Sequence, residues 1–110
     1  MRYFKTLFLE EARKFMASTD AKTIKKIIYT IEIAEITKDP RLFKKVHENI
    51  WEFRIRYGKQ QIRLLAFWDK SKPQETLVVV SQGFFKKSGK IPSKEINKAL
   101  QMRANYFENL

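Results

Sequence analysis

The sequence predicts an α+β fold: a small antiparallel sheet of about four strands, mixed at its edge, with two helices near the N-terminus and one at the C-terminus. Three observations carry that prediction. The stretch "WEFRIRYGKQQIRLLAFW" (51–68) alternates apolar and polar residues with the period of strands. Ile24, Ile27, Ile28 and Ile31 recur instead at helical spacing. "ETLVVVSQGFF" (75–85) begins with a nearly unbroken apolar run, as a central strand covered on both faces would.

Taken in order, "MRYFKTLF" (1–8) reads as a first strand and "LEEARKFMAS" as a short helix, acidic in its first turn and basic in its second. "STD" (18–20) supplies capping residues for a longer helix over about 20–37. "KDPR" ends it, because Pro40 disfavours helical backbone at Asp39. Residues 51–68 then form a hairpin around "GKQQ", "DKSKPQ" (69–74) is a polar turn, and residues 75–85 return as a strand. The final helix starts near Pro92 and Ser93, with Glu95 in its first turn and Ile96, Ala99, Leu100 and Phe107 as its buried stripe.

Hydrophobic residues make up 44% of the 110-residue chain, enough for a core, and the expectation is one domain over residues 1–110. With no cysteine there are no disulfides or thiolate metal sites. No apolar run approaches the ~20 residues of a membrane span. The opening run is broken by Lys5 and Thr6 and followed by Glu10 and Glu11, unlike a signal peptide, so a cytoplasmic location is expected. The net charge is +11, and nine of the lysines and arginines lie within residues 41–72 against three acidic residues. An excess concentrated there points to a polyanionic partner captured with marked salt sensitivity.

The hairpin sharpens the point. Trp51, Phe53, Ile55 and Tyr57 share one face with Ile62, Leu64, Ala66 and Trp68, so Glu52, Arg54, Arg56 and Arg63 fall on the other. Like charges on neighbouring strands repel, so three arginines gathered there imply something negative against them. Lys86 and Lys87 stand just past the apolar strand. Arginine offers a rigid fork for phosphate oxygens and lysine a mobile point charge. One histidine, His47, and no close carboxylate cluster leave no metal-ligand spacing, and neither a GxSxG turn nor a Gly-rich phosphate loop is present. Phe67, Phe84 and Phe85 are candidates to stack on bases, although such residues more often belong to a core.

"IWEFR", the Arg63-bearing strand "IRLLAFW", and "GFFKKSGKIPSKEINKA" after an apolar strand resemble the phage-Gp49-like HigB branch of the RelE/ParE toxin superfamily, over essentially the whole chain. The resemblance implies a RelE-like fold and the toxin of a type II toxin–antitoxin pair, which cleaves mRNA on the ribosome without metal or cofactor. The ribose 2′-hydroxyl attacks the adjacent phosphate. It implies catalytic roles for Arg54, Arg56, Arg63 and Lys87, with Arg63 and Lys87 on the scissile phosphate and Arg54 or Arg56 helping to activate the hydroxyl. Arg41, Lys44, Lys45, Lys59, Lys86 and Lys90 are expected to bind RNA or the ribosome. The implied partners are the ribosome, mRNA and a cognate helix-turn-helix antitoxin, with no membrane. The chain has no tyrosine or histidine in "KKSGKIPS", and Gln82 stands where many relatives carry a histidine. Proton transfer then falls to a basic side chain, the ribosome or water. A ParE-like gyrase inhibitor and a non-catalytic RNA- or antitoxin-binding domain are the alternatives on the same fold.

Overall fold

The computed structural model describes residues 1–87 and 89–110; Ser88, within the "GFFKKS" segment, lies outside the described residues. The elements run β1 (Lys5–Phe8), α1 (Glu10–Ala17), α2 (Ala21–Thr37), β2 (Phe43–Lys45), β3 (Trp51–Tyr57), β4 (Gln60–Lys72), β5 (Glu75–Phe85) and α3 (Ser93–Glu108). They form a five-stranded sheet of order β1-β5-β4-β3-β2, in which β1 is parallel to β5 and the other pairs are antiparallel. The α+β plan, the mixed edge and the helix placement are as the sequence predicts. The strand beyond the expected four is β2, whose three residues are too few to show a period.

Local chemistry explains the boundaries. Asp20 caps α2 by accepting from the Thr23 backbone N–H at 2.8 Å, and α2 ends on Lys38 in a left-handed conformation. The β3–β4 hairpin pairs Tyr57 with Gln60, which leaves Gly58 and Lys59 as its two-residue turn. Gly58 has φ +60°, the value that first position requires in a hairpin turn and that favours glycine. The expected polar turn at 69–74 is shorter than predicted: β4 runs on to Lys72, because Asp69 still pairs with Leu77 and Lys72 with Glu75.

The sheet has a core on each face. Helices α1 and α2 cover one, where Phe4, Ile27, Ile31, Phe53, Ile62, Leu64, Val78 and Val80 pack with Trp51 and Trp68 at the margin. Ile24 is half-buried and Ile28 turns towards solvent, so the buried stripe of α2 is completed by Thr23, Thr30 and Ala34. Helix α3 covers part of the other face, packing Ala99, Ile96, Leu100 and Phe107 on Ile50, Leu65, Phe67 and Val79. It is anchored at both ends. Gln82 Nε2 donates to the Glu95 carbonyl at 2.8 Å, and the Tyr106 hydroxyl donates to Asp69 Oδ2 at 2.6 Å. Hydrogen bonds from Ser71 and Tyr106 hold the Asp69 carboxyl below its usual range against the opposing effect of burial. Burial, together with Asp69, pushes the Tyr106 phenol up to about 12.

One irregularity orients the end of β5. Leu65 pairs with Gln82 but its neighbour Ala66 pairs with Val80, so Ser81 is an extra, bulged residue, tied by its hydroxyl to the Leu65 carbonyl. A bulge reverses the side-chain alternation beyond it. Val80 therefore faces α1 and α2, whereas Gln82 and Phe84 face the α3 side. Gly83 lies beneath Phe15 of α1, where a Cβ would come within 2.5 Å of both Phe15 and Leu64.

Candidate functional site

The arginines of the hairpin meet on the face that α3 leaves partly open. Arg54 pairs directly opposite Arg63, and Arg56 opposite Gln61. Arg63 lies on β4, between β3 and β5 and opposite Phe84, and is 4% exposed. Its Nη1 donates to the Ile62 carbonyl at 3.1 Å and its Nη2 to Gln61 Oε1 at 3.3 Å. Arg54 is half-buried and Arg56 exposed.

The negative group among the three arginines belongs to the chain itself. Glu52 is 5% exposed; its Oε1 stands 3.3 Å from Arg63 Nε and its Oε2 3.5 Å from Arg54 Nε. The Arg63 contact is an ion pair without hydrogen-bond alignment, and neither Arg63 Nε nor Glu52 Oε1 has a hydrogen-bond partner among the described residues. Burial pulls the Arg63 guanidinium below its ordinary pKa; Glu52 opposes that shift, and the Arg54 and Arg56 charges add to it. One carboxylate thus holds two arginines and leaves the group cationic.

Two hollows open on either side of Arg54. The first, of about 360 Å³, is lined by Lys26 and Thr30 of α2, Arg41 and Leu42, and Arg54, Ile55, Arg56, Gln61 and Arg63. The second, of about 470 Å³, is lined by Lys44, Lys45 and Val46, Glu52 and Arg54, and Lys86, Gly89, Lys90, Ile91 and Ile96. The only carboxylate among these linings is Glu52, already matched to the arginines. Arg54 is common to both, so the two form a basic track with that residue at its centre.

The expected site residues separate into groups. Arg54, Arg56 and Arg63 come together, with Arg63 recessed behind Arg54. Lys44, Lys45, Lys86 and Lys90 line the α3-side hollow, and Arg41 lines the α2-side one while forked on Asp39, with Nη2 at 2.7 Å. Lys59 is exposed at the hairpin tip and lines neither. Lys86 donates its backbone N–H to the Gln61 carbonyl, which continues the ladder past β5 and turns its side chain to the arginine face. Lys87 is exposed in a third hollow, which shares Lys86 and Lys90 with the second and adds Phe84, Phe85, Lys94 and Glu95.

Of the three candidate stacking residues, Phe67 is wholly buried, Phe84 packs against the α3-side core, and Phe85 is 43% exposed. His47 is exposed in the bend before β3 and lines none of these hollows. Gln82 is buried and engaged with Glu95 and Ser81, so it holds α3 in place. Two site residues escaped the sequence reading. Glu52 was visible in the alternation, diagonal to Arg63, yet its role depends on depth, which alternation does not report. Lys26 comes from a helix, and nothing local links it to the hairpin.

Comparison with known proteins agrees with this architecture. A family model described as phage-derived protein Gp49-like matches residues 14–104. No curated protein matches the chain. Among solved structures, the archaeal RelE–RelB complex from Pyrococcus horikoshii OT3 contains a chain similar in fold, with a TM-score of 0.51 at 10% identity. The match covers 78% of this chain and 98% of that one. The chain belongs to the Gp49-like family of phage-derived proteins, a RelE/HigB-type toxin family, and carries the RelE fold.

Proposed function

We propose that this chain is the toxin of a type II toxin–antitoxin pair and cuts mRNA on the ribosome. The observation that carries the reading is the basic track centred on Arg54, whose only carboxylate is neutralised by the arginines it holds. A single RNA strand laid along it places phosphates on Arg54 and Lys86, with Arg56 exposed beside them. The ribose 2′-oxygen attacks the adjacent phosphorus and the P–O5′ bond breaks, leaving a 2′,3′-cyclic phosphate and a 5′-hydroxyl. The 2′-hydroxyl proton leaves to a basic group or water, and another proton arrives on the departing oxygen. The chain's contribution is electrostatic. Arg54 and Lys86 stabilise the charge that builds on the phosphate oxygens, Arg56 lowers the energy of the forming 2′-alkoxide, and Arg63 adds its field from behind. Lys87, one residue beyond, contacts RNA or the ribosome at the rim, and Arg41, Lys44, Lys45, Lys59 and Lys90 extend the electrostatic surface.

A protein of this charge acting on RNA needs a silencer. The similar archaeal structure is a RelE–RelB complex, and we assign this chain a cognate antitoxin of the helix-turn-helix type that covers the arginine face. Induction in cells followed by mapping of mRNA 5′ ends tests the reading. New ends within translated codons support it. DNA breaks without such ends indicate a gyrase inhibitor, and neither outcome indicates a domain that only binds.

A further inference from the structure

Arg54 and Arg63 face each other across the β3–β4 ladder, an arrangement that like charges oppose, and Glu52 is the group that permits it. Its two oxygens do different things. Oε1 faces Arg63, which cannot swing out to meet a ligand: it is buried, it donates to Ile62 and Gln61, and its departure would leave the buried Glu52 only its 3.5 Å contact with half-buried Arg54. Oε2 faces Nε of Arg54, the inner nitrogen of a side chain that is 37% exposed. The Arg54 terminal nitrogens have no hydrogen-bond partner among the described residues. The Glu52–Arg54 contact is an ion pair without hydrogen-bond alignment, so the carboxylate draws the Nε edge of the guanidinium inward by charge and leaves the Nη pair free for two oxygens of one phosphate.

We propose that Glu52 is a positioning residue: it fixes the Arg54 fork towards a phosphate in the track, and Arg63 is the buried counter-ion that fixes Glu52. The catalytic consequence rests on the nuclease reading above, whereas the positioning itself concerns binding of any RNA phosphate. The reverse role, a latch in which Glu52 restrains Arg63 until substrate arrives, requires the buried pair to separate, which the surroundings oppose.

The test uses the full chain with Glu52→Gln, Arg54→Ala and the double variant, each checked for cooperative thermal unfolding. Affinity for a non-cleavable 2′-O-methyl RNA is measured across salt concentrations, and single-turnover cleavage on programmed ribosomes is followed separately. In the wild-type background Arg54→Ala should reduce the salt slope by roughly 0.7, the share of one single-strand phosphate. In the Glu52→Gln background the same change should have little further effect, because the fork is no longer aimed. Cleavage by Glu52→Gln should fall on the order of tenfold or more, although removing a negative charge leaves overall RNA affinity equal or higher. A merely structural carboxylate would not separate chemistry from affinity in this way. If Glu52→Gln fails to fold, Glu52→Asp takes its place: it keeps the charge but withdraws it from Nε, and should show the same loss of coupling. Additive effects on binding, or cleavage that is unchanged or faster without Glu52, overturn the proposal. Should the wild type cut no mRNA, the nuclease reading fails, and the binding cycle alone decides the role of Glu52.

Discussion

Arg63 is 4% exposed, a cation held at the depth of a core residue on β4. Alternation put it on the same face as Arg54 and Arg56, and the ladder register pairs it with Arg54. Its depth follows from β4 lying inside the sheet with Phe84 of β5 alongside, which only the assembled order reveals. That depth changes the expected outcome of mutation. Arg63→Ala removes the nearer of the two cations on Glu52, leaves the buried carboxylate only Arg54 at 3.5 Å, and should destabilise the fold by up to about 3 kcal/mol. Removing both charges with Glu52→Gln and Arg63→Gln together should restore a large part of the loss. Urea denaturation measures both, and an Arg63→Ala protein as stable as the wild type would show that the pair contributes nothing. Tyr106 carries a pH-dependent part of the stability. Its pKa, about 12, lies above the ordinary value of 10.0, so the folded state holds the phenolic proton more tightly than the unfolded chain does. Its stabilising contribution is full below about pH 10 and is lost as the pH rises towards 12. Tyr106→Phe should flatten that part of the stability–pH profile; an unchanged alkaline slope would contradict the assignment.

The elements were legible where a period or a cap is strong. The alternation of β3 and β4, the Asp20 cap of α2 and the doubly covered Val78–Val80 run all appear in the structure at the positions the pattern gives. The bulge at Ser81 was not legible, since a serine within an apolar strand looks like any other strand residue. Yet that one residue sets the alternation after it, and with it Lys86 lines the hollow that Arg54 also lines. Lys86→Ala should therefore slow single-turnover cleavage at saturating ribosome more than Lys87→Ala, which should act mainly on binding. The opposite order would mean that Lys87 reaches the phosphate from its neighbouring hollow. The strand segment beyond the bulge also packs tightly under α1. Gly83→Ala forces a methyl group against Phe15 and Leu64 and should cost about 1–3 kcal/mol by overpacking. A melting temperature unchanged by that substitution would show that α1 yields freely.

At the scale of the molecule, the fold converts a charge excess spread along the sequence into a directed surface. Helices α1 and α2 seal one face of the sheet, and α3 covers only part of the other. The remaining open area is where the hairpin arginines, the β2 lysines and Lys86 converge. The cationic hairpin was readable from the sequence, whereas the track required the topology, since Lys26, Arg54 and Lys90 meet only once α2, β3 and the segment before α3 are in place. Mapping mRNA 5′ ends after brief induction of the wild type and of Arg54→Ala decides whether this track cuts RNA. New ends should appear inside translated codons with the wild type, and Arg54→Ala should reduce their rate on the order of 10²–10³. Intact mRNA after wild-type induction, or cutting that Arg54→Ala leaves at full rate, would contradict RNA cleavage by this track.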